Sequence, residues 1–190
     1  MKNQFNDRSI FEYVINSHIA KFKTTLGMVC LLALTVAVGL AAGCFAASAE
    51  AKSAASAPSA VNLTPEQMEA AVEEYFDSIA SMNVQRFVNN FAPDGVLEDP
   101  VGTPPVQGTQ AIAAFFGAIT APFSDIKAKV QEVIPCGQEA AVNWKLNLKT
   151  TNGKRITIDG MGVFKFDQSG KLVSVREFWD LGAFLEQLQN

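Results

Sequence analysis

Apolar residues are spaced in three ways along the chain, and each spacing predicts a different kind of segment. From Leu26 to Gly43 they run almost uninterrupted, long enough to enter or cross a bilayer. From Met68 to Met82 they recur as Met68, Val72, Tyr75, Phe76, Ile79 and Met82, the period of a helix with one buried face. Further on, Val142, Trp144, Leu146 and Leu148 alternate with Asn143, Lys145, Asn147 and Lys149. That pattern predicts a strand with one buried and one wet face.

Turn and capping signals fill in the rest. Thr64-Pro65-Glu66-Gln67 supplies an N-cap, a proline at the first helical position and a reciprocating side chain three residues on. Phe87, Val88 and Phe91 share a face, predicting a short second helix over 84–91 that Ala92-Pro93-Asp94-Gly95 ends. Val96 to Asp99 reads as extended. After the loop from Pro100 to Gly108, Thr109 reads as the cap of a third helix carrying Ile112, Phe115, Phe116 and Ile119, ended by Pro122. Asn152-Gly153 turns the chain into a strand with Ile156, Ile158, Phe164 and Phe166, and Gln168-Ser169-Gly170 turns it again into Leu172 to Trp179. A further strand is expected around Ile126 to Ile134. Three helices followed by an antiparallel meander make an α+β layer fold.

The uncharged run from Thr24 to Ala49 follows Arg8, Lys21 and Lys23 and closes on small residues, which reads as an export address. Ala47-Ser48-Ala49 fits a cleavage site. Two alternatives stand beside it: an uncleaved membrane anchor with its basic tail in the cytoplasm, and a lipoprotein-like box at Leu40-Ala41-Ala42-Gly43-Cys44. All three put the rest of the chain outside the cytoplasm, whether periplasmic, secreted or membrane-anchored. Residues 50–61 are small and polar and read as a flexible tether. The expected organisation is therefore 1–49 as signal peptide or anchor, 50–61 as tether and 62–190 as a single domain.

Charge and cysteine usage narrow the chemistry. Residues 1–49 hold four bases and two acids, which leaves 11 bases and 17 acids for the remainder. A surface of that sign, without Arg/Lys clusters interleaved with aromatics, argues against a nucleic-acid partner. The only histidine, His18, and two of the three cysteines, Cys30 and Cys44, precede the domain, which keeps Cys136 alone. One thiol and no imidazole exclude an intradomain disulfide, a Cys/His zinc site and a Ser-His or Cys-His nucleophile within one chain. Carboxylates, phenols, amides and water remain.

Thr64-Pro65-Glu66 through Tyr75, Leu97-Glu98-Asp99-Pro100-Val101-Gly102, Gly108-Thr109 with Ile112, Phe115 and Phe116, and later Phe164-Lys165-Phe166, Gly170-Lys171 and Val173-Ser174-Val175-Arg176 together carry a family likeness. The domain resembles ketosteroid isomerases and, more broadly, the polyketide cyclases and dehydratases of the nuclear-transport-factor-2-like superfamily. The resemblance implies a cone-shaped, curved antiparallel sheet wrapped around the N-terminal helices. It also implies a pocket for a small apolar molecule of steroid, terpenoid or polyketide type, no metal or organic cofactor, and a homodimer. Moving a proton beside a carbonyl needs a base near the carbon and a donor facing the developing oxyanion. Asp99 resembles the base and Tyr75 the donor. Glu98 and Asp99 are adjacent in an extended segment, so only one can enter the pocket, and by the resemblance that is Asp99. Phe87, Phe91, Val101, Phe115, Phe116, Trp144, Phe164 and Trp179 are the residues expected against the ligand.

The chain departs from the family at the second acid of the oxyanion hole, whose position falls on Gly162. Asp159 is near, but its parity points it to solvent. Val173, Val175, Glu177 and Trp179 share a strand face that the resemblance assigns to the pocket, so a protonated Glu177 is the candidate replacement. Each residue also fits a plainer role: Tyr75 as a core aromatic, Asp99 as a turn residue before Pro100, Glu177 as a partner for Arg176. Two functions are accordingly expected as alternatives. One is an exported steroid Δ-isomerase-like, cyclase or dehydratase enzyme; the other is a non-catalytic pocket or dimerisation module of the same fold.

Overall fold

The computed structural model describes residues 63–189. The apolar segment, its cleavage motif and the tether lie outside them. Helix α1 spans Pro65–Ala80 and starts where the capping signal places it. The Thr64 hydroxyl accepts from the Gln67 N–H at 3.3 Å, and the Gln67 side chain accepts from the Thr64 N–H at 2.8 Å. A cap of this kind contributes about 1 kcal/mol. The buried face of α1 is Met68, Val72, Tyr75 and Phe76, so the helical stripe is read correctly.

Two local expectations need correction. Helix α2 is only Val84–Val88, because the Asn90 amide donates to the carbonyls of Arg86 and Phe87 and closes the turn. Phe91 instead opens strand β1, Phe91–Glu98. After the two-residue strand β2, Val106–Gln107, helix α3 spans Thr109–Thr120. Its N-cap is Gly108, at φ 83° and with no side-chain cap, and not Thr109; glycine takes that left-handed conformation without a Cβ penalty.

Strands β3 (Phe123–Cys136), β4 (Glu139–Thr150), β5 (Arg155–Phe166) and β6 (Leu172–Phe178) follow. The six strands are ordered β2-β1-β6-β5-β4-β3, all antiparallel except β1 beside β6, which is parallel. The curved, mostly antiparallel sheet buries its inner face against α1 and α3, and its buried core includes Trp144, Ile158 and Phe164. In β6 the register slips: Lys165 pairs with Ser174 but Phe166 with Leu172, so Val173 is an extra residue in the ladder. Leu172 and Val175 are therefore buried, whereas Val173 is only half-buried. Below the slip the expected alternation holds, with Arg176 out and Glu177 in.

Helix α4, Leu181–Gln189, was not expected. The Asp180 carboxylate accepts from the Ala183 N–H at 2.9 Å, and the Phe184 ring meets Trp179 edge to face at 5.6 Å. On the outer face Lys145 pairs with Asp159 at 2.9 Å, which puts Asp159 on the solvent side as its parity implies.

Candidate active site

The end of β1 sorts its two acids by pleat. Glu98 faces outward, accepting from Arg176 Nε and from the Gly102 N–H, each at 3.0 Å. Arg176 is thereby committed to Glu98 and is not the partner of Glu177. Asp99 faces the other way, and its Oδ1 accepts from Trp179 Nε1 at 2.6 Å. Burial pushes the Asp99 carboxyl up from 3.8 to about 6, with the indole hydrogen bond opposing the shift.

Asp99 opens onto a cavity with an empty volume of about 1130 Å³, its mouth included. Phe115, Phe116, Ile119, Ile126, Leu148 and Phe184 are among its walls. The hydroxyls of Thr103 and Thr120, also in the wall, already donate to the carbonyls of Pro100 and Phe116, at 2.7 Å each. The side chains left to meet a ligand's polar group are Tyr75, Asp99 and Glu177, gathered at one end of an otherwise apolar space. That end is built by α1, β1 and β6.

Glu177 is 3% exposed. Its Oε2 accepts from Trp144 Nε1 at 2.8 Å, and its Oε1 lies 3.3 Å from the Tyr75 hydroxyl. Burial first, then the nearby Asp99 charge, push this carboxyl well above the usual carboxylate range, and the Trp144 and Tyr75 hydrogen bonds only partly oppose them. The Tyr75 phenol, 1% exposed, is raised well above its ordinary value by burial and by the two carboxyls.

Two glycines of β5 make room for this group. A Cβ at Gly160 would come within 2.7 Å of three atoms of the Trp144 ring. One at Gly162 would sit 2.5 Å from Glu177 Oε2. Gly162 registers directly opposite Glu177 in the β5–β6 ladder. The Glu177 carboxyl thus lies beside the space that a side chain at 162 would enter.

Of the residues expected against the ligand, Phe87, Phe115, Phe116, Trp144 and Trp179 line the cavity, whereas Phe91, Val101 and Phe164 do not. Phe164 and Phe91 stand behind Tyr75, at ring centroid distances of 5.1 and 6.1 Å, and support it from the core. Val101 is held by its backbone, its N–H donating to the Glu177 carbonyl at 2.7 Å. Phe184 was missed along with α4, although Leu181, Phe184, Leu185 and Leu188 carry a helical period.

Residues 72–175 match the profile of the SnoaL-like domain, a stretch that holds α1 from Val72 onward, Tyr75, Asp99 and most of the sheet. The chain belongs to the SnoaL-like domain family. It is a homologue of steroid Δ-isomerase with a nuclear-transport-factor-2-like fold. The Steroid Delta-isomerase of Nocardioides simplex is 29% identical to this SnoaL-like domain over 116 residues, 61% of the chain and 92% of that protein. Among solved structures, the epoxide hydrolase/cyclase-like enzyme SalBIII, of pyran ring formation in polyether salinomycin, superimposes with a TM-score of 0.55. It is 25% identical and covers 61% of this chain and 92% of its own. An M. tuberculosis LEH-like epoxide hydrolase, 18% identical, shares the fold with a TM-score of 0.56, covering 65% of this chain and 90% of its own.

Proposed function

We propose that the domain is an exported acid/base enzyme that shifts a proton on a small, mostly apolar carbonyl compound, in the manner of a steroid Δ-isomerase. The supporting observation is the polar end of the cavity: a carboxyl poised at about 6 shares one largely apolar cavity with a phenol hydrogen-bonded to a second carboxyl. The ionised Asp99 removes a proton from the carbon between the carbonyl and the double bond of a β,γ-unsaturated ketone. The resulting dienolate puts charge on its oxygen, which faces Tyr75. Asp99 then returns the same proton at the γ carbon, giving the conjugated enone with no net change in protons. The substrate's body is apolar and its polar function single, because only one end of the cavity offers groups to bind it. Export rests on the charge-free run from Thr24 to Ala49 and the small residues that close it.

The test is conversion of a steroid 5-en-3-one to its 4-en-3-one, followed by the absorbance of the conjugated product. Turnover per active site is expected to rise with pH through about 6 as Asp99 ionises. Asp99→Asn should lose at least about 10²-fold in kcat, and Tyr75→Phe should leave a weakened enzyme. Unchanged turnover in a folded Asp99→Asn protein would reject the reading and leave a ligand-binding module.

A further inference from the structure

The two oxygens of Glu177 have different neighbours, and one neighbour fixes where a proton can sit. An indole N–H has a proton to give and no lone pair to accept with, so Oε2, 2.8 Å from Trp144 Nε1, is an acceptor in either state of the acid. A proton on Glu177 therefore resides on Oε1, the oxygen facing the Tyr75 hydroxyl at 3.3 Å. The phenol has a single proton of its own. When Glu177 is ionised, Oε1 holds that proton; when Glu177 is neutral, Oε1 gives its proton to the phenol oxygen instead. The Tyr75 proton is then free for the cavity that Tyr75 lines.

We propose that Glu177 is a positioning residue acting through Tyr75: its neutral form turns the phenol proton toward a bound carbonyl, and its ionised form withdraws that proton. This rests on the function proposed above and names how its donor is switched on. A chain from Glu177 through Tyr75 to the ligand oxygen also strengthens each of its hydrogen bonds. The titratable groups facing Glu177 are Tyr75 from α1 and Asp99 from the end of β1. Arg176, its neighbour in sequence, faces away and is paired with Glu98. The Asp99 charge raises the Glu177 carboxyl, so ionising the base favours the neutral acid. The two carboxyls are biased toward opposite protonation states, the combination the reaction needs.

The test uses full-length protein carrying Asp99→Asn, which removes the other cavity carboxyl and its titration. The probe is 2-acetylnaphthalene labelled with ¹³C at the carbonyl, a ketone with one polar end and no ionisation of its own. With Glu177 neutral, the bound carbonyl stretch is expected at lowered frequency. It should return upward as pH rises through the Glu177 midpoint, with affinity falling about 5- to 10-fold, the worth of one hydrogen bond. Glu177→Gln, whose amide can accept from Trp144 and donate to Tyr75, should keep the lowered band at every pH. Tyr75→Phe should lack it at every pH. A lowered, pH-dependent band that survives Tyr75→Phe would show Glu177 donating directly and overturn the proposal, as would a band that ignores pH while Glu177 titrates. A ligand-free measurement covers weak binding: below the midpoint, the Glu177 carboxyl proton should show nuclear Overhauser contacts to the Tyr75 ring. Contacts to the Trp144 ring alone would place it on Oε2 and overturn the proposal. Isomerase activity enters neither readout, so the two readings fail separately.

Discussion

Asp99→Asn should stabilise the fold above pH 6 even as it removes the proposed base. The carboxyl is raised from 3.8 to about 6 by burial, so its charged form is disfavoured in the folded state. Near pH 4 and below, the folded acid is neutral and the penalty is absent. Between about 4 and 6 the unfolded chain releases this proton while the folded protein keeps it, so stability falls as pH rises. Above about 6 both states are ionised and the penalty is constant. A shift of roughly 2 units corresponds to about 3 kcal/mol at 1.36 kcal/mol per unit. Because Asp99 is only half-buried and opens onto the cavity, that figure is a ceiling, and about 1–3 kcal/mol is expected. The amide that replaces the carboxyl in the variant does not titrate, and it retains an acceptor for Trp179. Urea unfolding of residues 50–190, followed by tryptophan fluorescence at pH 4 and pH 7.5, measures the difference between the two proteins. It should move in favour of the variant by that amount between the two pH values. Losing the Asp99 charge also relieves part of the upward push on the Glu177 carboxyl, which moves the difference in the same direction, so that amount is the Asp99 share of the change. A difference that stays constant, or that moves toward the native protein, would refute the claim that burial governs this carboxyl.

Two further outcomes are expected. Gly160→Ala should cost about 1–3 kcal/mol, because its methyl group meets the Trp144 ring, and should lower Tm by about 5–10 °C; an unchanged Tm would mean that the indole does not rest on β5. Expressed from Met1 in a bacterial host, the domain should be cleaved by protease added outside the cytoplasmic membrane, whereas recovery in the cytosol with an intact N-terminus would remove the export reading.

What could be read from the sequence was local and periodic. The capping box at Thr64, the stripe through Tyr75, the alternation in β4 and the opposed faces of Glu98 and Asp99 depend on near neighbours, and each appears in the structure as expected. The inward placement of Glu177 follows from a face that includes Val173, which the β6 irregularity moves out of phase. It holds because the slip lies upstream of Val175. The partners of the acids were not legible. Trp144 and Trp179 read as core or ligand-facing aromatics, and nothing local in the chain shows that each indole N–H ends on a carboxyl of the cavity. Phe91 reads as helical because its spacing from Phe87 and Val88 is helical, yet the Asn90 side chain closes that helix before the spacing can be used.

Gly162 leaves the expected second-acid position without a side chain, yet the structure sets the Glu177 carboxyl directly beside it. On the inner face of an antiparallel pair, directly opposed residues hold their Cβ positions about 5 Å apart, so a carboxyl can reach one point from either strand. Only one strand can supply it. A Cβ at 162 would already collide with Glu177 Oε2, and a second carboxyl there would add like-charge repulsion and another desolvation cost. Glycine at 162 therefore leaves room for the Glu177 carboxyl and for the Phe164 ring, each 2.5 Å from where a Cβ would sit. Compared one position at a time, Gly162 reads as a lost donor. Across the ladder, the directly opposed residue on β6 is Glu177, whose Oε2 accepts from Trp144 while its Oε1 faces Tyr75. Gly160 makes room for this arrangement, since the indole that donates to Glu177 lies where a side chain at 160 would begin.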